Sequence, residues 1–182
     1  MIYVFLADGF EETEAIAPID ILRRSELDVK VVAIKGDRAT SSHGITVLCD
    51  MNIKDITTED MDAIVLPGGM PGTLNLEADP ILRVCIDYCN KNNKLIGAIC
   101  AAPSILGHLG MLKGKKAVCF PGFENELLGA EVSKTDSVIK DGNIITAKGA
   151  GVAVEFGLAL AKELAGEMMA KKLFAAMQCR KV

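Results

Sequence analysis

Near-unbroken apolar runs at residues 2–7, 29–34, 63–66 and 95–100 limit what this chain can fold into. They do not alternate apolar with polar, so the strands they imply are buried on both faces. That is the mark of a parallel sheet with helices on either side. Between the runs, apolar residues fall at helical spacing. Ala15, Ile16, Ile19 and Leu22 form one stripe. Ile81, Leu82, Cys85, Ile86 and Cys89 form a second, and Val152, Phe156, Leu160 and Leu164 a third. Strands alternating with helices predict an α/β sheet, mostly parallel, joined by right-handed crossovers. Half of the 182 residues are hydrophobic, which suits such a sheet and a single domain over 1–182.

The finer pattern predicts a first helix over 13–24, with Pro18 one turn inside it, and a polar loop over 35–42. A short strand at 45–48 is expected at an edge. A helix covers 81–88, a strand 117–120 and a last helix 167–177. Segments 131–133, 137–139 and 144–147 suggest a hairpin, because Asp141-Gly142 is a strong turn signal.

Charge and motifs exclude several classes. Net charge is −4, and the 20 Lys and Arg residues are dispersed, so no nucleic-acid footprint is expected. The apolar N-terminus lacks a basic leader, and no stretch is long enough to span a membrane. Six cysteines without a secretion signal point to free thiols in a reducing, cytoplasmic setting. Gly149-Ala150-Gly151 is half a phosphate loop without the rest of its pattern, and reads as a helix cap. Cys85 and Cys89 share a helix face but lack a second ligand pair, a poor zinc site. Neither a cofactor nor a metal is expected.

Cys100 carries the strongest chemical signal. It ends an apolar strand, and Pro103 opens a helix three residues later. Ala98 and Ala102 flank it at two residues on either side, as small residues flank the nucleophile of a sharp strand-to-helix elbow. A cysteine at a helix N-terminus favours its thiolate, with a pKa of roughly 5 to 6. In such sheets, sites form at the carboxyl ends of strands. The loops after residues 7, 66 and 100 are expected to open on one edge.

Glu11, Glu12 and Glu14 crowd the start of the first helix. Dipole compensation accounts for most such clusters. The chemical alternative is that one carboxyl faces Cys100 and stays protonated beside it. Pro67-Gly68-Gly69 is a tight turn whose backbone N–H could join that of Ala101 as an oxyanion hole. Neither histidine makes a dyad. His108 lies about two helical turns past Cys100, and His43 sits in a polar loop. That argues against a cysteine protease.

Four stretches together resemble the ThiJ/PfpI superfamily, in the branch of the parkinsonism-associated deglycase and the bacterial ThiJ/YajL proteins. They are Glu11-Glu12-Thr13-Glu14 with Pro18 to Arg24, Ile64 to Gly69, Ala98 to Pro103, and Gly149-Ala150-Gly151 before Glu155-Phe156. The resemblance implies a flavodoxin-like three-layer sandwich and a homodimer, with the first helix and the strand near His43 as its surfaces. It assigns the nucleophile to Cys100, the protonated carboxyl to Glu14, and backbone donors to Gly69 and Ala101. It implies cofactor-independent glyoxalase or deglycase chemistry on a small carbonyl substrate or a glycated protein. The alternative it carries is an oxidative-stress sensor or redox-regulated chaperone. Three departures stand out. The protease-like branch has histidine where this chain has Ala101. Some members have histidine where this chain has Phe120. Relatives often have arginine near the position of His43.

Overall fold

The computed structural model describes residues 1–180. Its centre is a seven-stranded sheet. In chain order the strands and helices begin β1 (Ile2–Leu6), α1 (Glu12–Arg24), β2 (Val29–Ala33), β3 (Arg38–Thr40), β4 (Thr46–Leu48), β5 (Met51–Asn52), β6 (Ala63–Leu66), α2 (Gly72–Glu77) and α3 (Pro80–Lys91). There follow β7 (Leu95–Ile99), α4 (Pro103–His108), β8 (Lys116–Ala117), β9 (Glu131–Val132), β10 (Val138–Asp141), β11 (Ile144–Ala147), α5 (Ala153–Ala165) and α6 (Glu167–Ala176). The sheet order is β10-β11-β7-β6-β1-β2-β5, parallel throughout except for the β10–β11 hairpin. The four apolar runs are its four central parallel strands, as their composition requires.

Two apolar layers sandwich the sheet. On one face Phe5, Ile64, Leu66 and Ile96 pack with Leu82, Ile86, Ile105 and Leu106. On the other, Val4, Leu6, Val65 and Ile99 pack with Ile19, Leu22, Phe156 and Leu160. Helices α1 and α5 meet closely at Gly157, where a Cβ would lie 2.7 Å from Ile21 Cδ1 and 3.1 Å from Pro18 Cα. Pro18 is accommodated inside α1, which continues to Arg24.

The structure corrects the reading of the short elements. The expected loop at 35–42 holds β3, which pairs with β4 in a separate two-stranded ribbon. The sheet edge is therefore the two-residue β5, not the 45–48 segment. The strand expected at 117–120 shrinks to β8, paired in parallel with β9. Segment 131–133 therefore lies outside the β10–β11 hairpin. Helix α2, one and a half turns long, has no counterpart in the sequence reading. Among the described residues, no helix is long and apolar enough to cross a membrane.

Candidate active site

The loops after β1, β6 and β7 open on the carboxyl edge of the sheet and interlock there. Glu11 N–H donates to Gly68 O at 2.9 Å, and Gly72 N–H donates to Gly9 O at 3.2 Å. Gly69 has φ +91°, and a Cβ there would overlap Glu11 N and Phe10 C. Glycine is therefore required both by conformation and by contact.

Cys100 has φ +66°, a left-handed conformation rare for a non-glycine residue. Such backbone costs roughly 1–3 kcal/mol and persists only where its surroundings hold it. Here Cys100 N–H donates to Ala147 O at 2.9 Å, and Cys100 O accepts from Phe120 N–H at 2.9 Å. Ala98 and Ala102 are fully buried, so the small residues that marked the elbow do fill crowded positions.

Glu14 comes from the first turn of α1 and is 1% exposed. Its Oε2 accepts from Gly68 N–H at 2.9 Å, Ala150 N–H also faces it, and it hydrogen-bonds Cys100. Glu11 caps the helix instead, accepting from Glu14 N–H at 2.7 Å. Of the three carboxylates, Glu14 alone is buried, in line with Pro18 and Ile21 four and seven residues on. Spacing alone does not single it out, because Glu11 stands four and seven residues before the equally buried Ala15 and Pro18. Gly68 has no room for a side chain. A Cβ would lie 2.6 Å from Cys100 Cβ and 2.7 Å from Glu14 Oε2.

Electrostatics differ from the elbow argument alone. Burial raises the Glu14 carboxyl to about 7. Burial, together with the charge of an ionised Glu14, pushes the Cys100 thiol up to about 12. The N–H groups of Gly69 and Ala101, both aimed at the sulfur, pull the other way. Helix α4 has only six residues, so its dipole adds little. The charge of each group acts on the other, so their two titration steps are coupled and belong to the pair. Once Glu14 is protonated, the repulsion is gone and three donors surround the sulfur.

The other candidates lie elsewhere. His43 pairs with Glu12 at 2.9 Å on an exposed surface. His108 is held by Glu77 and Glu126. Cys85 and Cys89 are buried, and burial raises both thiols well above the ordinary range. Glu11, Glu12 and His43 bring metal-ligating atoms within 4.8 Å of one another, but Glu11 is engaged as the helix cap and Glu12 with His43. The sequence reading missed Gly68 and Ala150 as donors to Glu14. It read the second only as part of a helix cap.

A parallel flavodoxin-like sheet with a strained elbow cysteine at its carboxyl edge, paired with a buried carboxyl from the first helix, defines a class of cysteine-centred α/β proteins. Within that class, the chain belongs to the DJ-1/PfpI family, whose model matches residues 1–163. It is 36% identical to Protein dj-1beta of Drosophila melanogaster over 166 residues, 90% of this chain and 89% of that protein. Identity is also 36% to Protein DJ-1 homolog B of Arabidopsis thaliana, of whose length the chain spans only 37%. Deglycase PH1704 of Pyrococcus horikoshii is 31% identical over 78% of this chain and 86% of its own. Among solved structures, oxidized DJ-1 of Toxoplasma gondii superimposes with TM-score 0.93 at 33% identity, covering 97% of each chain.

Proposed function

We propose that the chain processes reactive carbonyls at Cys100 without a cofactor, as a glyoxalase or deglycase-like enzyme. One observation carries this reading: the strained Cys100 has the Glu14 carboxyl and the Gly69 and Ala101 N–H groups all on its sulfur. Relatives named deglycase support the general class.

For a 2-oxoaldehyde such as methylglyoxal, the Cys100 thiolate adds to the aldehyde carbon. The oxyanion that forms is held by the two N–H groups and takes the Glu14 proton, giving a hemithioacetal. The Glu14 carboxylate then removes the hydrogen from that carbon and returns a proton at the neighbouring one, through an enediol. The aldehyde carbon is thereby oxidised to a thioester and the ketone reduced to an alcohol. Water hydrolyses the thioester, restoring the thiol and releasing a hydroxy acid. Methylglyoxal plus water equals lactic acid, so no external oxidant or reductant is needed. Glycation adducts at the hemiaminal stage present the same carbon.

The test is lactate formation from methylglyoxal with no glutathione, using Cys100→Ser as the blank. Turnover by the wild type alone supports the reading; equal rates refute it. A second reading, oxidation sensing, is favoured by the same three donors, which suit a sulfinate oxygen equally. Two equivalents of hydrogen peroxide would oxidise the thiolate to sulfinate and release two waters. A mass gain of two oxygens on Cys100 without carbonyl turnover would favour it.

The assembly proposed is a homodimer through α1 and the β3–β4 ribbon. Ile16 on the first is 43% exposed, and Ile45 and Leu48 on the second are 53% and 72% exposed. Light scattering should give twice the 19.4 kDa chain mass. The cysteines among the described residues are all free, which supports a reducing, cytoplasmic setting.

A further inference from the structure

His108 lies outside the catalytic pocket yet joins three elements. Its Nδ1 is 2.5 Å from Glu77 Oε1 on α2, and its Nε2 is 2.8 Å from Glu126 Oε2 on the 3-10 turn Glu124–Glu126. His108 itself is the last residue of α4. Each element starts directly beyond one loop of the site.

The connections can be followed bond by bond. Thr73 donates both N–H (2.9 Å) and Oγ1–H (3.0 Å) to Gly69 O, and Glu77 is one helical turn further on. Ser104 donates N–H (3.0 Å) and Oγ–H (2.7 Å) to Ala101 O, and His108 is one turn beyond it. Phe123 N–H donates to Phe120 O (3.1 Å), and Glu126 N–H to Phe123 O (3.0 Å). Phe120 is the residue whose N–H binds Cys100 O. The three carbonyls thus anchored belong to Gly69 and Ala101, whose N–H groups face the sulfur, and to Phe120, which pins the cysteine. Gly107 lets the clamp close, since a Cβ there would overlap Glu126 O.

We propose that His108 is a positioning residue that fastens the trailing ends of the three site loops and releases them when its imidazole loses its charge. The proposal rests on the reading of Cys100 as the reactive centre. A neutral imidazole can donate from only one nitrogen, so one of the two bridges loses its hydrogen bond on deprotonation. The charged groups facing the ring are Glu77 from α2 and Glu126 from the 3-10 turn. Arg83 from α3 lines the same small cavity. The Glu126 and then the Glu77 hydrogen bond hold the imidazolium above the ordinary histidine range, against the smaller opposing effect of burial. The clamp is therefore complete below the ordinary value and is lost as pH rises through the raised one.

The experiment is hydrogen exchange of the backbone at 68–74 and 100–105, at pH 6 and pH 8.5, corrected for the intrinsic pH dependence. Wild type, His108→Gln and Glu126→Gln are compared, with the His108 ring titration followed by NMR. In wild type, exchange of both segments should speed up about fivefold at the higher pH, the scale of a partly exposed ion pair. In His108→Gln both segments should exchange at the fast rate at either pH. In Glu126→Gln, which keeps the histidine, the ring should titrate lower and the step should move down with it. Absence of a step in wild type, a step that survives in His108→Gln, or a ring titration indifferent to Glu126 would overturn the proposal. Exchange reads the backbone and not the chemistry. A protein inert toward methylglyoxal but showing the step would keep the clamp and lose the proposed activity.

Discussion

Gly68→Ala tests how tightly the site is built. The backbone at Gly68 lies outside the left-handed region, so alanine is penalised by contact alone. Its Cβ would stand 2.6 Å from Cys100 Cβ, 2.7 Å from Glu14 Oε2 and 2.9 Å from Ile99 O. The first and last are close to backbone held by sheet hydrogen bonds, so Glu14 is the neighbour most free to move. Overpacking of this kind costs about 2 kcal/mol, which for a chain of this length lowers Tm by about 4–8 °C. A displacement of Glu14 by about 1 Å lowers turnover on the order of a hundredfold. Gly151→Ala is the stability control, because a Cβ there meets nothing within 4 Å. Calorimetry and methylglyoxal turnover together read both effects. Loss of activity is predicted to exceed what the small Tm shift explains at 25 °C, where the variant stays folded. A variant with wild-type Tm and wild-type turnover would refute the packing argument.

Other outcomes follow from particular contacts. Thr146 is 1% exposed, and its Oγ1 accepts from Val118 N–H at 3.0 Å. Thr146→Val strands that buried donor and should cost about 1–3 kcal/mol in a urea titration. The Asp62 carboxyl is held below its ordinary value by the Met1 ammonium first and by Lys94 next. Its contribution is present above the ordinary value of 3.8 and is lost as pH falls through the depressed one. Asp62 is largely exposed, so Asp62→Asn should cost at most about 1 kcal/mol at pH 7. The two urea midpoints should then converge as the solution is acidified.

The central strands were legible because burial on both faces removes polar residues from them. Residues 63–66 and 95–99 read as strands with no help from context. Helix α2 was not legible: Gly72–Glu77 is six residues long, too short to show a helical period. Strands β5, β8 and β9 have two residues each, and pairing of that length leaves no pattern. Cys100 was legible because its turn demands small neighbours at Ala98 and Ala102. The inward direction of Glu14 was not legible in spacing, since Glu11 stands at the same spacing from the buried Ala15 and Pro18; only the family resemblance singled out Glu14. The His108 clamp was hidden, since Glu77 and Glu126 lie 31 and 18 residues away and only the fold brings them together.

The central claim is that the one negative charge of the site rests on the sulfur, with the proton on Glu14. The most direct test is the pH dependence of Cys100 alkylation in wild type and in Glu14→Leu. A neutral Glu14 donates to the thiolate, so its removal should raise the thiol pKa. An ionised Glu14 repels it, so removal should lower the pKa. A thiolate held by a protonated Glu14 and two N–H groups should alkylate in wild type with a pKa below the free-cysteine value of about 8.5, and with a higher one in Glu14→Leu. A wild-type value at or above about 8.5, or a fall on removing Glu14, would contradict it.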